Sequence, residues 1–493
     1  MKQLTYTLLL LLTGVVLAVS CSKDKGNYAY TPINDLTITT VADTFYVTQL
    51  DTLDIQPVIT GMDPNRVRYE WRVSPIIDPA QPLTQGEIRI ISRERNLHEQ
   101  ITLPAGSLYF FLDYVVTDTV TGVSYFKKMR FQVITDFQKG WMLLEQKAGG
   151  ADMSFITPGD VIFRNVYSST NADKPLPASA HKLISTDAGG LLGILNMVYY
   201  DGGGYVLNNN SLAVTGGYES VFFSPPAVVQ PQNLLKPSAF SWGPYTFSDG
   251  KVYAVNGIFG SKLFGTAFSQ PDNKGYKVAP FVAGGLAFGG IVFDQLNHRF
   301  LYDGGSTSTS LKTFPANTGL AFELSNVQKK MLTMKAGLGH ILFPTNFYAI
   351  FKNENNDDCF LYTINADGNM NTSPVAEAQQ AILNSPDVHR SPDYLFSNSI
   401  RQMYYAADNK LYVYDMAANR SRVVYEFAGG ENITSLQLDN NTNTITLSTY
   451  NGSAGGGTVY FLPLAGTGDI LNNTYSKKFS GFEKIVHLVQ KIG

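Results

Sequence analysis

The chain has 493 residues, of which 16% are charged, and its net charge is −3. Its length allows about two to four domains of roughly 100–200 residues each, and the near-neutral balance excludes a nucleic-acid binder, which would need a basic face. The low charged fraction, together with 44 glycines, 28 tyrosines and 30 phenylalanines, favours a β-rich extracytoplasmic protein over a helical bundle, a coiled coil or a disordered chain.

Residues 1–20 have the pattern of a secretory signal peptide, with a charged start and an apolar run that ends at Val19. Ala18-Val19-Ser20 before Cys21 fits a bacterial lipobox, and the same three residues also fit the small-x-small site of an ordinary signal peptidase. We expect lipid on Cys21, followed by a linker over residues 21–30. Acyl chains contribute roughly 0.8 kcal/mol per buried CH₂, so they would anchor the mature chain to a membrane.

The mature N-terminus resembles a known family. Cys21 is followed by Ser-Lys-Asp-Lys-Gly-Asn-Tyr-Ala-Tyr. This run is similar to the start of the PKD-like lipoproteins of Bacteroidota, which commonly read Asp-Lys-Gly-Asn-Tyr-Asp-Tyr, and Ala29 stands where their second Asp is usual. The resemblance implies an outer-membrane accessory protein encoded near a nutrient-uptake system. Lys23-Asp24 also resembles the signal that sends such lipoproteins to the cell surface.

Residues 31–136 are predicted to form an immunoglobulin-like β-sandwich. The segment from Leu53 to Val58 alternates apolar and polar residues, as a half-buried strand does. Another strand has Trp71 at its centre, where such sandwiches often bury a tryptophan. This strand and the turn from Asp118 to Gly122 resemble a PKD-like module. We therefore interpret Trp71 as a core residue rather than a ligand platform.

Residues 137–493 are predicted to form a β-propeller of about seven blades, which makes the whole fold all-β. Turn-forming clusters recur near residues 148, 203, 249, 296, 356, 408 and 441. They are 33 to 60 residues apart, and their mean spacing of about 49 is typical of propeller blades. The segment from Lys484 to Val489 is expected to close the ring. Six or eight blades, or stacked sandwiches, are the alternatives, and two helical insertions are predicted, from Val327 to Lys335 and from Val375 to Leu383.

Most enzyme signatures are missing from the sequence. Asn451-Gly452-Ser453-Ala454-Gly455 lacks the first glycine of a nucleophile elbow, and there is no zinc-protease helix motif, P-loop or dinucleotide fingerprint. No two of the six histidines have metal-ligand spacing. The sequence therefore predicts no cofactor and no metal, and it favours a binding protein over an enzyme.

Aromatic side chains provide the best ligand-binding hypothesis, because glycan and peptide sites combine flat apolar rings with amide and hydroxyl groups. Trp242 and Tyr245 lie in a segment with Gly243 and Pro244, and Tyr200 lies beside a glycine-rich turn. These three rings are the predicted ligand contacts.

Three functions fit the sequence. The leading hypothesis is a lipid-anchored protein that captures a glycan or peptide for an outer-membrane transporter complex. The first alternative is a carbohydrate-active hydrolase or lyase, which acids or a histidine in the propeller channel would favour. The second alternative is a structural component of an envelope complex, which would co-purify with membrane proteins.

Overall fold

The computed structural model describes residues 36–492, except position 50 and the segments 76–87, 104–108, 189–192, 238–242, 256–262, 286–288, 305–307, 317–318, 339–345, 367–374 and 454–455. Strands dominate these residues. Their helical segments are α1 (Val166–Thr170) and the 3₁₀ turns Pro64–Arg66, Tyr218–Val221, Val388–Arg390 and Leu471–Asn473. The chain divides into two compact units, Met1–Val133 and Ile134–Gly493. The prediction of an all-β fold is confirmed.

The first unit has the two-layer arrangement of an immunoglobulin-like sandwich. Its strands are β1 (Thr37–Thr39), β2 (Thr44–Thr48), β3 (Thr52–Ile55), β4 (Val58–Thr60), β5 (Val67–Pro75), β6 (Arg89–Ser92), β7 (Leu97–Gln100), β8 (Tyr109–Asp118) and β9 (Ser124–Ile134). One sheet has the order β2-β9-β8-β5-β6, and the pairs β1-β4 and β3-β7 complete the unit. Leu53 of β3, Leu97 of β7 and Leu112 of β8 belong to one shared core.

Trp71 lies at the centre of that core. Its side chain is fully buried, its indole N–H donates to the backbone carbonyl of Glu94 at 3.0 Å, and its ring stacks on Tyr114 with 4.2 Å between centroids. A buried indole needs a partner for its N–H, and Glu94 provides one. The interpretation of Trp71 as a core residue agrees with this position.

The second unit consists of short antiparallel sheets. Its strands are β10 (Gly140–Lys147), β11 (Gly150–Ile156), β12 (Ile162–Phe163), β13 (Lys182–Asp187), β14 (Ile194–Tyr200), β15 (Gly203–Leu207), β16 (Val214–Gly217), β17 (Pro231–Leu235), β18 (Tyr245–Ser248), β19 (Lys251–Ala254), β20 (Ile291–Asp294), β21 (Arg299–Asp303), β22 (Leu311–Thr313), β23 (Lys330–Ala336), β24 (Asn346–Lys352), β25 (Cys359–Asn365), β26 (Ala376–Ala381), β27 (Tyr394–Phe396), β28 (Gln402–Ala407), β29 (Lys410–Asp415), β30 (Arg420–Glu426), β31 (Asn432–Asp439), β32 (Thr444–Asn451), β33 (Gly456–Pro463), β34 (Lys477–Phe482) and β35 (Lys484–Lys491).

These strands form seven sheets, which we number as blades along the chain. Blade 1 is β12-β11-β10-β35, blade 2 is β13 to β16, blade 3 is β17 to β19, blade 4 is β20 to β22, blade 5 is β23 to β26, blade 6 is β27 to β30 and blade 7 is β31 to β34. An apolar core lies between each blade and the next, and another lies between blade 7 and blade 1. Seven sheets packed face to face in a closed ring are a β-propeller.

The last strand closes this ring. β35 pairs antiparallel with β10, from Gly140 opposite Lys491 to Gln146 opposite Lys484. Blade 1 is therefore built from both ends of the unit, so the edge of β10 is covered. The predicted closing segment, Lys484 to Val489, lies within β35.

Each predicted turn lies in a different blade. At Asp249 and Gly250 the backbone has φ values of 47° and 70°, the left-handed pair that favours an Asp-Gly hairpin turn. Most of these turns join the second and third strands of a blade, counted outward from the centre of the ring. The turn near residue 441 instead joins the first two strands of blade 7, β31 and β32, which explains the short last interval.

The two helices predicted in this unit are strands. The segment from Val327 to Lys335 contains most of β23, and the segment from Val375 to Leu383 contains β26. In β26, Ala376–Ala381, the residues Ala, Glu and Gln favour helix in isolation, but the backbone pairs with β25 at the outer edge of blade 5. Helix propensity amounts to only tenths of a kcal/mol per residue, so sheet pairing outweighs it.

Candidate functional site

The innermost strands of the blades surround a central channel. These strands are β35, β13, β17, β23, β27 and β31, and blade 4 contributes Phe281 and Val282. The channel has a cavity of about 870 Å³, within the roughly 300–1,000 Å³ of small-molecule sites.

In the described part of the chain, each of these innermost strands is an edge strand of its sheet, with a hydrogen-bonded neighbour on one side only. Some backbone N–H groups of these edges donate to side chains of the neighbouring blade, as Leu488 does to Ser435 at 3.2 Å and Gln490 to Gln437 at 3.0 Å. The other backbone groups of these edges can face a ligand in the channel.

The titratable groups of the channel are mostly basic. The described residues that line the cavity include three lysines, three histidines and one carboxylate: Lys182, Lys236, Lys335, His181, His389, His487 and Asp393. The chain as a whole has a net charge of −3, so the channel is basic within a slightly acidic protein. A cleft lined by one sign of charge concentrates ligands of the opposite sign.

Asp393 and Lys335 form an ion pair between blades 6 and 5. The ammonium of Lys335 donates to both carboxylate oxygens of Asp393, each at 2.7 Å. One of these oxygens also accepts the backbone N–H of Tyr394 at 2.8 Å. Lys335 therefore neutralises the carboxylate of Asp393.

Lys182 begins β13 in blade 2 and has no such partner. Among the residues that the structure describes, its ammonium makes neither a hydrogen bond nor an ion pair. The side chain of Lys182 is half-buried where it lines the channel. Desolvation by the surrounding protein lowers its pKa to about 8, with Asp393 raising the pKa and Lys335 lowering it further. At neutral pH Lys182 is therefore mostly charged, and its charge is not compensated.

His487 lies in β35, beside blade 2. Its Nδ1 atom accepts the backbone N–H of Leu183 at 3.3 Å, which assigns the proton of the neutral imidazole to Nε2. Desolvation lowers the pKa of His487 to about 3, and the charge of Lys182 lowers it as well. At neutral pH His487 is therefore an uncharged side chain with one N–H to donate.

Replacing His487 with Gln is expected to make folding less sensitive to acid. Below about pH 6.5 the unfolded chain protonates this imidazole, whereas the folded chain keeps it neutral down to about pH 3. The stabilising contribution of neutral His487 is therefore complete above about pH 6.5 and is lost as the pH falls. The groups that act on the imidazole are Lys182, Asp393, Lys335 and His181. Scanning calorimetry should show a steeper fall in melting temperature for the wild type than for H487Q between about pH 7 and about pH 5.

The control for this measurement is His98→Gln in the first unit. The side chain of His98 is 75% exposed, so we expect H98Q to show the wild-type slope. Parallel slopes for the wild type and H487Q would contradict the expected role of His487.

Tyr200 and Tyr245, the two predicted ligand contacts that the structure describes, are not among the residues that line the channel. Trp242 lies outside the described residues. Tyr245, in β18, is 3% exposed, and its hydroxyl donates to Asp303 at 2.6 Å, so this position offers no ring face to a ligand. Tyr200 is half-buried, with its ring 5.3 Å from that of Tyr205. The ligand roles of Trp242 and Tyr200 stay predictions.

The basic groups of the channel form no motif in the sequence. Lys182 and His487 lie about 300 residues apart along the chain. Each of them precedes or interrupts an apolar run, Leu183-Ile184 after Lys182 and Val486 to Val489 around His487. A titratable residue in an apolar strand is unusual unless it has a partner or a function. The sequence analysis did not select Lys182 or His487, and this is the one signal that could have indicated them.

The remaining candidate features are metal ligands, membrane-spanning helices and the two cysteines. No group of three or more His, Cys, Asp or Glu in it is placed to hold a metal ion. Within the same residues, no helix is long and apolar enough to cross a membrane. Cys359 is a buried free thiol, and burial raises its pKa to about 11. Cys21, the predicted lipidation site, lies outside the described residues.

Comparison with known families gives a partial match. Residues 21–175 match the model of the PKD-like family, which bears out the PKD-like part of the predicted resemblance. The matched segment begins at Cys21 and extends beyond Val133 through the first three strands of blade 1 in the chain, β10 to β12. No curated protein matches the chain.

Similar solved structures include several from Bacteroides. A quinonprotein alcohol dehydrogenase-like protein from Bacteroides thetaiotaomicron is 13% identical, with 95% of this chain and 98% of that chain covered and a TM-score of 0.41. A DUF4784 family protein from Bacteroides caccae is 8% identical, with 94% and 100% covered and a TM-score of 0.32. An auxiliary nutrient binding protein from Bacteroides thetaiotaomicron is also 8% identical, with 85% and 96% covered and a TM-score of 0.30. These scores are low, and the propeller assignment depends on the closed ring of blades.

Proposed function

We propose that this chain is an outer-membrane lipoprotein whose propeller channel binds a glycan or peptide for a nutrient-uptake system. The observation that carries the proposal is the cavity of about 870 Å³ within the ring of blades. The signal peptide pattern, Cys21 and the PKD-like match at residues 21–175 support the location. Delivery to a transporter is the expected consequence of that location.

The lining of the cavity suits a polar oligomer. Thr434, Ser435 and Gln437 of β31 lie along one wall, and Leu235 and Val282 are among the apolar residues on the others. Ligand sites commonly combine such apolar walls with a few polar groups that fix the orientation of the ligand. The backbone groups of the innermost edges that no neighbouring side chain binds add donors and acceptors, which sugar hydroxyls or peptide amides can satisfy.

A glycan array and a peptide library, probed with residues 31–493, would test this function. We expect binding to at least one glycan or peptide class, and loss of that binding in Ala336→Trp. Ala336 is exposed to the cavity at the end of β23, so an indole there would occupy ligand space. The matched control is Ala418→Trp, at an exposed turn after β29, which we expect to bind like the wild type.

Two results would contradict the proposal. Absence of binding across broad glycan and peptide panels would contradict a capture function. Binding that survives Ala336→Trp unchanged would place the ligand outside the channel.

A lyase is the second candidate function, and one observation favours it over a hydrolase. Glycoside hydrolysis usually needs two carboxylates roughly 5–10 Å apart, whereas Asp393 is the one carboxylate among the described lining residues and is paired with Lys335. The neutral amine of Lys182, whose pKa is about 8, has the basicity to remove the C5 proton of a uronate at mildly alkaline pH. The electron pair left at C5 would form a C4=C5 double bond as the C4–O bond breaks, and the leaving oxygen would take a proton from water. Ultraviolet absorbance of the unsaturated product in an incubation with trigalacturonate would identify a lyase.

A further inference from the structure

Four titratable side chains from four blades act on one another in the channel. Lys182 of blade 2 and His487 of blade 1 come from neighbouring blades, and Lys335 and Asp393 come from blades 5 and 6 on another part of the ring. The charges of Lys335 and Asp393 act on both Lys182 and His487. All four side chains line the same cavity of about 870 Å³, and we call these four groups the basic cluster.

The two lysines and the one carboxylate of the basic cluster leave an excess of one positive charge. Both oxygens of Asp393 are bound to the ammonium of Lys335 at 2.7 Å, so this pair is neutral. Lys182 is then left with no anion in the described part of the chain. Partly burying an ammonium without a neighbouring anion costs free energy, and an anion bound beside Lys182 would reduce that cost.

His487 provides the second half of an anion site. Because its Nδ1 accepts the N–H of Leu183, its Nε2–H is the donor left for a ligand. A carboxylate has two oxygens, and it binds well where one oxygen meets a cation and the other meets a neutral donor.

We propose that the channel recognises a carboxylate group of its ligand through the ammonium of Lys182 and the Nε2–H of His487. This inference rests on the proposed ligand-binding function and defines its ligand class. One uncompensated positive charge matches the single charge of a carboxylate. Acidic sugars and acidic peptides share this group, and the probes below distinguish them.

Isothermal titration calorimetry with the full mature chain would test the inference with two matched pairs of probes. Trigalacturonate is compared with its trimethyl ester, and triglutamate with triglutamine. We expect one of the two acids to bind at least tenfold more tightly than its neutral counterpart. A preference for trigalacturonate identifies an acidic sugar as the source of the carboxylate, and a preference for triglutamate identifies an acidic peptide.

The variant Lys182→Met should abolish this preference, since Met keeps the length of the side chain without its charge. We expect Lys182→Arg to retain most of the preference, and the exposed Lys330→Met on β23 to behave like the wild type. Weak binding of the neutral counterpart by K182M, unchanged from the wild type, would show that the channel is still folded.

A pH titration of the wild type provides a test that needs no variant. The affinity for the acid should fall as the pH rises from about 7 to about 9.5, because Lys182 loses its charge in that range. The other titratable groups that face this site are His181, Lys335, Asp393 and His487. The affinity for the neutral counterpart should not follow this profile.

The outcomes separate the two proposals. Equal affinity for acids and neutral counterparts, or a preference that persists in K182M, would overturn carboxylate recognition and leave the binding function intact. Absence of binding by all four probes would overturn carboxylate recognition, and absence of binding on the glycan and peptide panels as well would overturn the binding function.

Discussion

Replacing Asp294 with Ala is expected to lower the free energy of unfolding of the propeller by about 3–5 kcal/mol. Asp294 is fully buried in blade 4. Its carboxylate accepts the backbone N–H groups of Lys277 at 3.0 Å and Leu296 at 3.1 Å, the amide of Asn297 at 2.7 Å and the guanidinium of Arg299 at 3.2 Å. Truncation would leave all these donors short of an acceptor in a site closed to water.

The neighbouring side chain of Arg299 increases the loss of unfolding free energy that we expect for Asp294→Ala. Its side chain is 8% exposed, and its guanidinium also donates to both oxygens of Asp272, at 2.6 and 3.1 Å. The hydrogen bonds from Arg299 hold the pKa of Asp272 near 2. Without Asp294 the guanidinium would keep one of its two carboxylate partners, and its buried Nε–H would be left without an acceptor.

Urea denaturation of the full chain, followed by circular dichroism, would measure this effect. The control is Glu426→Ala, which removes a carboxylate whose ion pair with Lys410 spans 3.6 Å between side chains that are 56% and 37% exposed. Exposed pairs contribute about 0–1 kcal/mol. Similar unfolding midpoints for D294A and E426A would contradict a structural role for the buried network.

Replacing Leu488 with Ala is expected to destabilise the propeller by about 2–5 kcal/mol. Leu488 is 2% exposed and packs in the core between blades 7 and 1, with Val459 and Leu143. It lies on β35, whose pairing with β10 closes the ring. The truncation therefore weakens both the core and the closure of the ring.

Hydrogen exchange would locate this effect within the ring. In L488A we expect faster exchange of the amides of β10 that pair with β35, as well as a lower unfolding midpoint. Lys484→Ala, an exposed position on the same strand, should stay within about 0.5 kcal/mol of the wild type. If L488A and K484A showed equal midpoints and equal exchange, β35 would not be the strand that holds the ring closed.

Local sequence chemistry predicted the repeating part of the fold well. Asp249-Gly250 and the other turn clusters were visible because Asp, Asn and Gly accept the backbone conformations of tight turns wherever they stand. Each such turn marks one blade, so the number of turns predicts the number of blades. The closing segment from Lys484 to Val489 was visible as an apolar strand without a partner in sequence.

Predictions from helix propensity alone, without tertiary contacts, were less successful than those from turn residues. Residues 376–381 contain good helix formers and still form a strand, because β25 offers its edge to them. Aromatic composition misled in a similar way at Tyr245, whose ring fills the core between blades 3 and 4. In a propeller most rings lie between the blades, so composition does not distinguish a core ring from a ligand-binding ring.

The sequence by itself determined that the chain is all-β, that its second unit repeats in about seven turn-linked sheets, and that no standard enzyme motif is present. These properties follow from hydrophobic periodicity and turn residues, which act over a few positions. Only the tertiary structure decided which titratable side chains line the channel together. Lys182 and His487 become neighbours because the last strand of the chain returns to blade 1, beside blade 2. The pairing of Lys335 with Asp393 leaves Lys182 without a compensating anion among the described residues. A charge balance of this kind depends on distances that no local pattern encodes.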